Sequence, residues 1–343
     1  MGILADGAAL VQNLVPAGLI TAATKIVEAP GGLATVASRL VEAIAINSVW
    51  EKKRGRRTVV VKRRNLHSEQ LADLTNLYFR MANIPIRFWS KLDEWRRWEV
   101  DCFEMLNGDS FHAQASGKRC VAAEKLPGES LWEHLNRGTL TKQMLRSAAC
   151  EFRRAHQFWS DEFRGRWSHG DASITNLIYD ATTNRARFID FEIYHDKSLS
   201  AAARQADDLL VFLLDLVGTV PSRQWLPFAT TFLEAYGNQE VIAQLRTQLD
   251  LPGGLAWIWW GVRTNFTNPA KVKRRLTNLS RAIVKLKSYE AGSAVRVRSK
   301  RRPSINCQVT KPGIPKPSSR TLAIKDRAKA VSPGIPKRFP TRT

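Results

Sequence analysis

The hydrophobic pattern of the chain begins with two strand-like runs. Residues 46–52 (INSVWEK) and 58–64 (TVVVKRR) are rich in β-forming residues and flank the basic, glycine-containing turn KRGRR. Two such runs across a short turn predict a β-hairpin. Residues 68–82 then carry leucines and a phenylalanine at helical spacing, which predicts a helix that ends before Pro85.

Helical periodicity dominates the chain after this point. A second helix is predicted over 90–108, and residues 117–138 change from a strand to a turn at a Pro-Gly pair and then to a helix. Further helices are predicted over 141–159, 199–218, 225–237, 255–266 and 270–292. A β-rich beginning followed by a longer helical part indicates an α+β fold.

The two ends of the chain differ from its central part. Residues 1–44 carry Ala, Leu and Val at amphipathic spacing and predict a helical extension that packs on the protein or lies on a membrane. They lack the basic region of a secretory signal and are interrupted by Pro16 and Gly18. Residues 293–343 are dominated by Pro, Ser, Lys and Arg, which predicts a disordered basic tail.

The chain is strongly basic, with 53 Lys and Arg residues against 31 Asp and Glu residues and a formal net charge of +22. Fourteen of the basic residues lie from Ser288 onward, against the two acids Glu290 and Asp326. Such a charge implies attraction to phosphates, anionic lipid surfaces or nucleic acid. The sequence has no run of apolar residues long enough for a spanning helix. We therefore expect a cytoplasmic protein in peripheral contact with the inner face of the membrane.

Residues 167–192 (WSHGDASITNLIYDATTNRARFIDFE) contain the strongest chemical signal. Asp171 and Asp190 stand at the ends of runs that otherwise resemble buried strands, where an unpaired charge is unfavourable by several kcal/mol. Asn176 follows Asp171 on the same loop, and a turn at 181–184 would return Asp190 beside Asn176. Phosphoryl transfer needs a residue that orients the acceptor, metal ligands and positive charge on the phosphates. Carboxylate and amide oxygens suit Mg²⁺.

The segment HGDASITN (169–176) resembles the catalytic loop HGDxxxxN of the protein-kinase-like phosphotransferases. This group includes the aminoglycoside phosphotransferases, choline kinases and lipopolysaccharide core (Kdo/heptose) kinases, and FIDFE resembles the strand end that binds the metal in them. The resemblance implies ATP and Mg²⁺ as cofactors, Asp171 as the catalytic aspartate, and Asn176 and Asp190 as the Mg²⁺ ligands. It places His169 in the catalytic loop, bracing it by hydrogen bonds.

The same resemblance implies a bilobal protein-kinase-like fold. Residues 45–125 would form a small β-rich N-lobe and residues 126–292 a larger, mainly helical C-lobe. The extension over 1–44 and the tail over 293–343 would lie outside the two lobes.

Four further residues have counterparts in the nucleotide site of the family. Lys62 on the second strand would contact the α- and β-phosphates, and its partner would be Glu99 or, as a competitor, Glu104. The backbone of Glu124 to Leu126 would form the hinge that hydrogen-bonds the adenine. In the helix after the metal loop, Asp208 or, less favoured, Asp207 would cap the helix and anchor the backbone of the catalytic loop.

The chain also departs from the family pattern. No GxGxxG motif precedes Lys62. We therefore expect the phosphates of ATP to be contacted by the backbone amides of a short turn or by the basic residues around 52–57. Glu192 replaces the final glycine of the protein-kinase DFG triplet, which argues against a eukaryotic-type protein kinase.

The expected acceptor is a hydroxyl of a sugar or another small molecule, and a lipopolysaccharide-core-like saccharide is favoured. Trp257, Trp259 and Trp260 are candidates for stacking on a sugar ring, although core packing is the commoner role. The alternatives are a serine/threonine protein kinase and a catalytically degenerate kinase-fold scaffold that binds polyanions. A nucleic acid partner is less favoured than ATP, a saccharide or an anionic membrane.

Overall fold

The structure is a computed structural model that describes residues 46–296, with side chains described up to residue 285. The predicted extension over 1–44 lies outside the described residues, as does the predicted tail beyond residue 296. The described part consists of a small sheet-rich N-terminal region and a mainly helical C-terminal region.

The strands and helices are numbered in chain order. The strands are β1 (Asn47–Arg54), β2 (Arg57–Arg64), β3 (Ile86–Phe88), β4 (Ala113–Ala115), β5 (Cys120–Glu124), β6 (Glu129–Ser130), β7 (Trp159–Ser160), β8 (Gly165–Arg166), β9 (Leu177–Asp180), β10 (Arg185–Phe188) and β11 (Ile193–His195). The helices are α1 (Ser68–Met81), α2 (Leu92–Asn107), α3 (Leu131–Asn136), α4 (Lys142–Ala155), α5 (Ala201–Thr219), α6 (Ser222–Tyr236), α7 (Gln239–Arg246), α8 (Ala256–Arg263) and α9 (Pro269–Arg296).

The N-terminal region is an antiparallel sheet in the order β1-β2-β5-β4. The predicted hairpin is confirmed, and its register pairs Arg54 with Arg57 across a turn in which Gly55 has φ +62°. Side chains alternate between the faces of a strand, so Val59 and Val61 share one face of β2 while Lys62 occupies the other. This alternation turns Lys62 toward α2, whose buried face carries Trp95 and Glu99.

The helical region is built around a continuous aromatic core. Phe152 of α4 contacts Phe188, Phe212 and Phe232 with ring centroids 4.8, 5.4 and 5.1 Å apart, in edge-to-face geometry. The core thus joins α5 and α6 to β10, the strand that precedes Asp190. Helix α9 continues to Arg296, past the end predicted at residue 292. None of the helices between residues 46 and 296 is both long and apolar enough to span a membrane.

Two small antiparallel sheets position the loops between the regions. The predicted turn at 181–184 is confirmed, because β9 pairs with β10 and Asp180 lies opposite Arg185. Strand β11 pairs with β3, a long-range contact that the sequence pattern did not predict. This pairing attaches the segment after Asp190 to the chain between α1 and α2.

The N-terminal cap of α5 differs from the prediction. The helix begins at Ala201, and its N-cap is Ser200, whose hydroxyl accepts a hydrogen bond from the N–H of Ala203 at 3.2 Å. The prediction that Asp208 caps this helix is therefore wrong, because a suitable serine stands more than two turns earlier. Asp208 lies within the helix and is fully buried.

Candidate active site

Lys62 lies at the centre of a cluster of acidic side chains contributed by two separate segments. Its ammonium is 3.2 Å from Oε2 of Glu99 on α2 and 3.6 Å from Oε2 of Glu192, and it contacts the carboxylate of Asp190. The structure thus brings Glu99 to Lys62. The competitor Glu104 instead accepts a hydrogen bond from the N–H of Ala113 at 2.6 Å.

Burial and the neighbouring charges determine the protonation of this cluster. Burial lowers the pKa of Lys62, but Asp190, Glu99 and Glu192 outweigh it and hold that pKa above its ordinary value. Burial raises the pKa of Glu192 to about 7, against the opposing effect of Lys62. The pKa of Glu99 is also raised by burial, and Lys62 again opposes the shift. Lys62 therefore stays charged at neutral pH.

A fully buried carboxylate fixes the loop that contains Asp171. Asp208 accepts hydrogen bonds from the backbone N–H groups of His169 at 2.7 Å and Gly170 at 2.9 Å. The anchoring role predicted for Asp208 is thus confirmed. Gly170 has φ +87°, and a Cβ there would lie 2.9 Å from the carbonyl oxygen of Ile193, so glycine is required. Burial raises the pKa of Asp208, but nearby histidines outweigh it and the net shift is downward.

His169 braces the loop from its other side. Its Nε2 lies 3.1 Å from the carbonyl oxygen of Ile189, and the N–H of Asp171 donates to its Nδ1 at 3.2 Å. Burial lowers the pKa of His169, which favours the neutral ring. Since both ring nitrogens are engaged, His169 holds the loop in position. Asp171 is the acidic side chain that this loop presents to the cavity described below.

Asp171 forms an ion pair that the sequence did not predict. Its carboxylate contacts the guanidinium of Arg263, at the end of α8 and 92 residues away in the chain. Arg263 also lies over the ring of Trp259, with 4.4 Å between the guanidinium carbon and the ring centroid. Burial lowers the pKa of Arg263, but Asp171 and Asp215 raise it further, so the guanidinium is held charged.

Asn176 and Asp190, the predicted Mg²⁺ ligands, lie on neighbouring segments. The side-chain amide of Asn176 donates to the carbonyl oxygen of Asp171 at 2.9 Å, which directs its Nδ2 into the loop. The N–H of Ile189 donates to the carbonyl oxygen of Asn176 at 3.0 Å, so Asp190 follows directly after that contact. Asp190 has φ +66°, an uncommon conformation for aspartate that occurs at functional sites, and its carboxylate contacts Lys62. Both side chains carry the oxygen ligands that suit Mg²⁺, and their role as its ligands stays a prediction.

The predicted hinge is partly used by the sheet itself. The N–H of Glu124 donates to the carbonyl of His112 at 2.8 Å, and the N–H of Lys125 donates to that of Thr58 at 2.9 Å. The carboxylate of Glu124 pairs with Arg57. The N–H of Glu124 is thus used at the β5 edge, and adenine binding by the backbone of Glu124 to Leu126 stays a prediction. The peptide of Leu126 lies past the strand end, while its side chain is buried in the core.

These charged groups meet at a cavity of about 620 Å³. Its walls come from β1, α1 and α8, and its charged lining residues are Lys62, Asp171, Asp190, Glu192 and Arg263. Arg263 and Glu192 were not predicted as site residues. Their contacts depend on long-range folding, and no local motif marks them.

Comparisons with known proteins add similarities of fold. No family model and no curated protein matches the chain. Among solved structures, the complex of Rv3197 with erythromycin from Mycobacterium tuberculosis is similar at 16% identity, over 80% of this chain and 87% of that chain, with a TM-score of 0.34. The complex of APH(2″)-IIa with gentamicin is similar at 12% identity, over 72% of this chain and 95% of that chain, with a TM-score of 0.31. These values are too low to support an argument about function.

Proposed function

We propose that the protein is an ATP- and Mg²⁺-dependent phosphotransferase that moves the γ-phosphate to a hydroxyl group of a small molecule. The observation that carries this proposal is the convergence of Lys62, Asp171 and Asp190 on one cavity, with Glu99 holding Lys62 from behind. The resemblance of residues 169–176 to the HGDxxxxN loop supports it. With it we propose that residues 45–125 and 126–292 are the two lobes of a kinase-like fold.

Each side chain has a part in this chemistry. Lys62 stays charged and neutralises phosphate oxygens, while its contact with Glu99 fixes its position. Asn176 and Asp190 would hold Mg²⁺, which neutralises charge on the transferred phosphate when bound. Asp171 accepts a hydrogen bond from the acceptor hydroxyl and orients it for attack. Because Arg263 pairs with Asp171, it fixes that carboxylate and adds positive charge beside it.

Several acceptor classes belong in a first screen. The sequence resemblance favours a lipopolysaccharide-core sugar, and the basic chain suits an anionic, membrane-borne saccharide. The resemblance also includes the aminoglycoside phosphotransferases, so an aminoglycoside should be included. ATP consumption above the acceptor-free rate would identify the class.

The decisive test is Asp171→Asn, which keeps the size of the side chain and removes its charge. We expect phosphoryl transfer to fall by about 10²- to 10⁴-fold, the usual contribution of such a group, while the affinity for ATP changes little. Turnover and nucleotide binding are measured separately. Asp250→Asn, at an exposed aspartate far along the chain, is the matched control and should keep full activity. Retained turnover in Asp171→Asn would refute the assignment.

A further inference from the structure

The cavity beside Asp171 has a charged end and an apolar body. Apart from the five charged residues, its lining is almost entirely aliphatic and aromatic. Leu71, Leu74 and Phe79 of α1 line it together with Ile258 and Trp259 of α8. A cavity of about 620 Å³ lies within the range of small-molecule sites, which are mostly apolar with a few placed polar groups.

Contacts between α1 and α8 hold these two walls together. The hydroxyl of Tyr78 donates to the carbonyl of Leu255 at 2.9 Å, and the rings of Phe79 and Trp259 meet edge to face at 5.2 Å. Phe79 also stacks on Phe88 of β3. The apolar body is therefore a built feature with fixed walls.

Several apolar side chains of the lining remain in contact with solvent. Val49 is 60% exposed, Leu74 is 37% exposed and Ile258 is 48% exposed. Exposed apolar side chains that share one concave surface mark a binding site more often than isolated ones do. These three side chains belong to the lining of the same cavity as Asp171.

The polar groups at the charged end favour a neutral ligand. Lys62 and Arg263, the cations of the lining, are already paired with carboxylates. An anionic sugar would thus meet two neutralised cations and the carboxylates that neutralise them.

We infer that this cavity binds the body of the acceptor, and that the acceptor is a neutral alcohol carried on an apolar skeleton rather than an anionic sugar. The inference rests on the proposed function for the role of Asp171. In the bound state the apolar skeleton lies between α1 and α8, and its hydroxyl reaches the carboxylate of Asp171.

Binding of two matched probes tests this inference in the full-length chain. Octyl β-D-glucoside, used below its micelle concentration, and glucose share every hydroxyl except the anomeric one, whose oxygen carries the apolar tail in octyl glucoside. The anionic sugar Kdo is the third probe. Calorimetry should give an affinity for octyl glucoside at least tenfold above those for glucose and Kdo, because burial of each CH₂ contributes to binding.

Paired variants locate the site. Leu74→Gln and Ile258→Gln should each weaken octyl glucoside binding by about tenfold, since each replaces an apolar contact with an amide. Leu77→Gln is the matched control, because Leu77 lies on the same helix and is also 37% exposed but does not line the cavity. It should bind like the unmodified protein.

The outcomes separate this inference from the proposed function. Equal binding of octyl glucoside and glucose, tighter binding of Kdo, or equal losses in Leu74→Gln and Leu77→Gln would overturn the apolar acceptor site. Phosphorylation of Kdo at a rate unaffected by Leu74→Gln would also overturn it while leaving the phosphotransferase assignment intact. Site-dependent binding of octyl glucoside by a protein that consumes no ATP would support the cavity and refute the proposed function.

Discussion

At the scale of single residues, the site depends on charges that are paired across long distances in the chain. Arg263 contacts Asp171 directly, and Asp215 of α5 contributes a second carboxylate near it. The N–H of Ile174 donates to Asp215 at 2.9 Å, so Asp215 also supports the loop that follows Asp171. The guanidinium of Arg263 therefore interacts electrostatically with two carboxylates, that of Asp171 in direct contact and that of Asp215 on α5.

Asp215 gives a prediction about pH and stability. Burial raises its pKa from 3.8 to about 7, against the opposing effects of Arg263 and the Ile174 N–H. Between these pH values the folded protein keeps a proton that the unfolded chain has released, so this group makes the free energy of unfolding fall as pH rises. Above pH 7 its contribution is constant. Asp215→Asn should remove this dependence. From pH 4 to pH 8, the free energy of unfolding of the variant should therefore rise by a few kcal/mol relative to that of the unmodified protein.

Urea unfolding at several pH values measures this gain. Asp250→Asn should follow the unmodified protein at every pH, because its side chain is exposed. Parallel stability profiles for Asp215→Asn and the unmodified protein would contradict the role assigned to burial of Asp215.

At the scale of elements, three helices hold one loop through a single carboxylate. Asp208 of α5 binds the backbone of His169 and Gly170, and it also accepts from Nε2 of His156, next to α4, at 3.1 Å. Nδ1 of His156 lies 2.9 Å from the hydroxyl of Tyr236 on α6. The position of the loop is therefore coupled to the packing of the helical core.

Asp208→Asn tests this coupling. The two loop N–H groups donate to different oxygens of Asp208, and the amide replaces one of these oxygens with a donor, so one N–H loses its acceptor. A buried donor left without an acceptor costs about 1–3 kcal/mol. We expect a lower melting temperature and a lower kcat, with little change in the affinity for ATP. The matched control is Asp207→Asn, because Asp207 pairs with His195 at 3.0 Å and makes no contact with the loop backbone in the described structure. Equal kcat losses in the two variants would argue against a specific anchor.

At the scale of the whole molecule, the charge of the chain is unevenly distributed. More than half of the net charge of +22 comes from residues 288 onward, and the remainder belongs to the rest of the sequence. The cavity itself pairs its cations with carboxylates. Attraction to polyanions is thus expected to come mainly from the C-terminal segment, separately from phosphoryl transfer.

Deletion of residues 293–343 separates these two properties. Heparin binding should weaken. The logarithm of the heparin association constant should also fall less steeply with the logarithm of the salt concentration, because fewer Lys and Arg side chains displace counterions from heparin. ATP turnover should be retained. A chain with the same tail residues in shuffled order is the control and should bind heparin as before, since the attraction depends on charge. Unchanged heparin affinity after the deletion would place the polyanion site in the rest of the chain.

The sequence by itself determined those features that depend on neighbours in the chain. The β1–β2 hairpin, the described helices other than α7, and the turn before β10 follow from periodicity and turn residues, which act over a few positions. The motif around Asp171 is equally local, because its loop spans only residues 169–176.

Only the tertiary structure decided which charges meet. Periodicity indicates that a residue is buried but does not indicate its partner, so the choice of Glu99 over Glu104 and the contact of Arg263 with Asp171 could not be derived from it. The hydrogen bond of the Glu124 N–H within the sheet and the pairing of β3 with β11 are also contacts between distant parts of the chain, so periodicity does not predict them. The apolar cavity exists because α1 and α8, far apart in sequence, are brought face to face by packing that no local rule specifies.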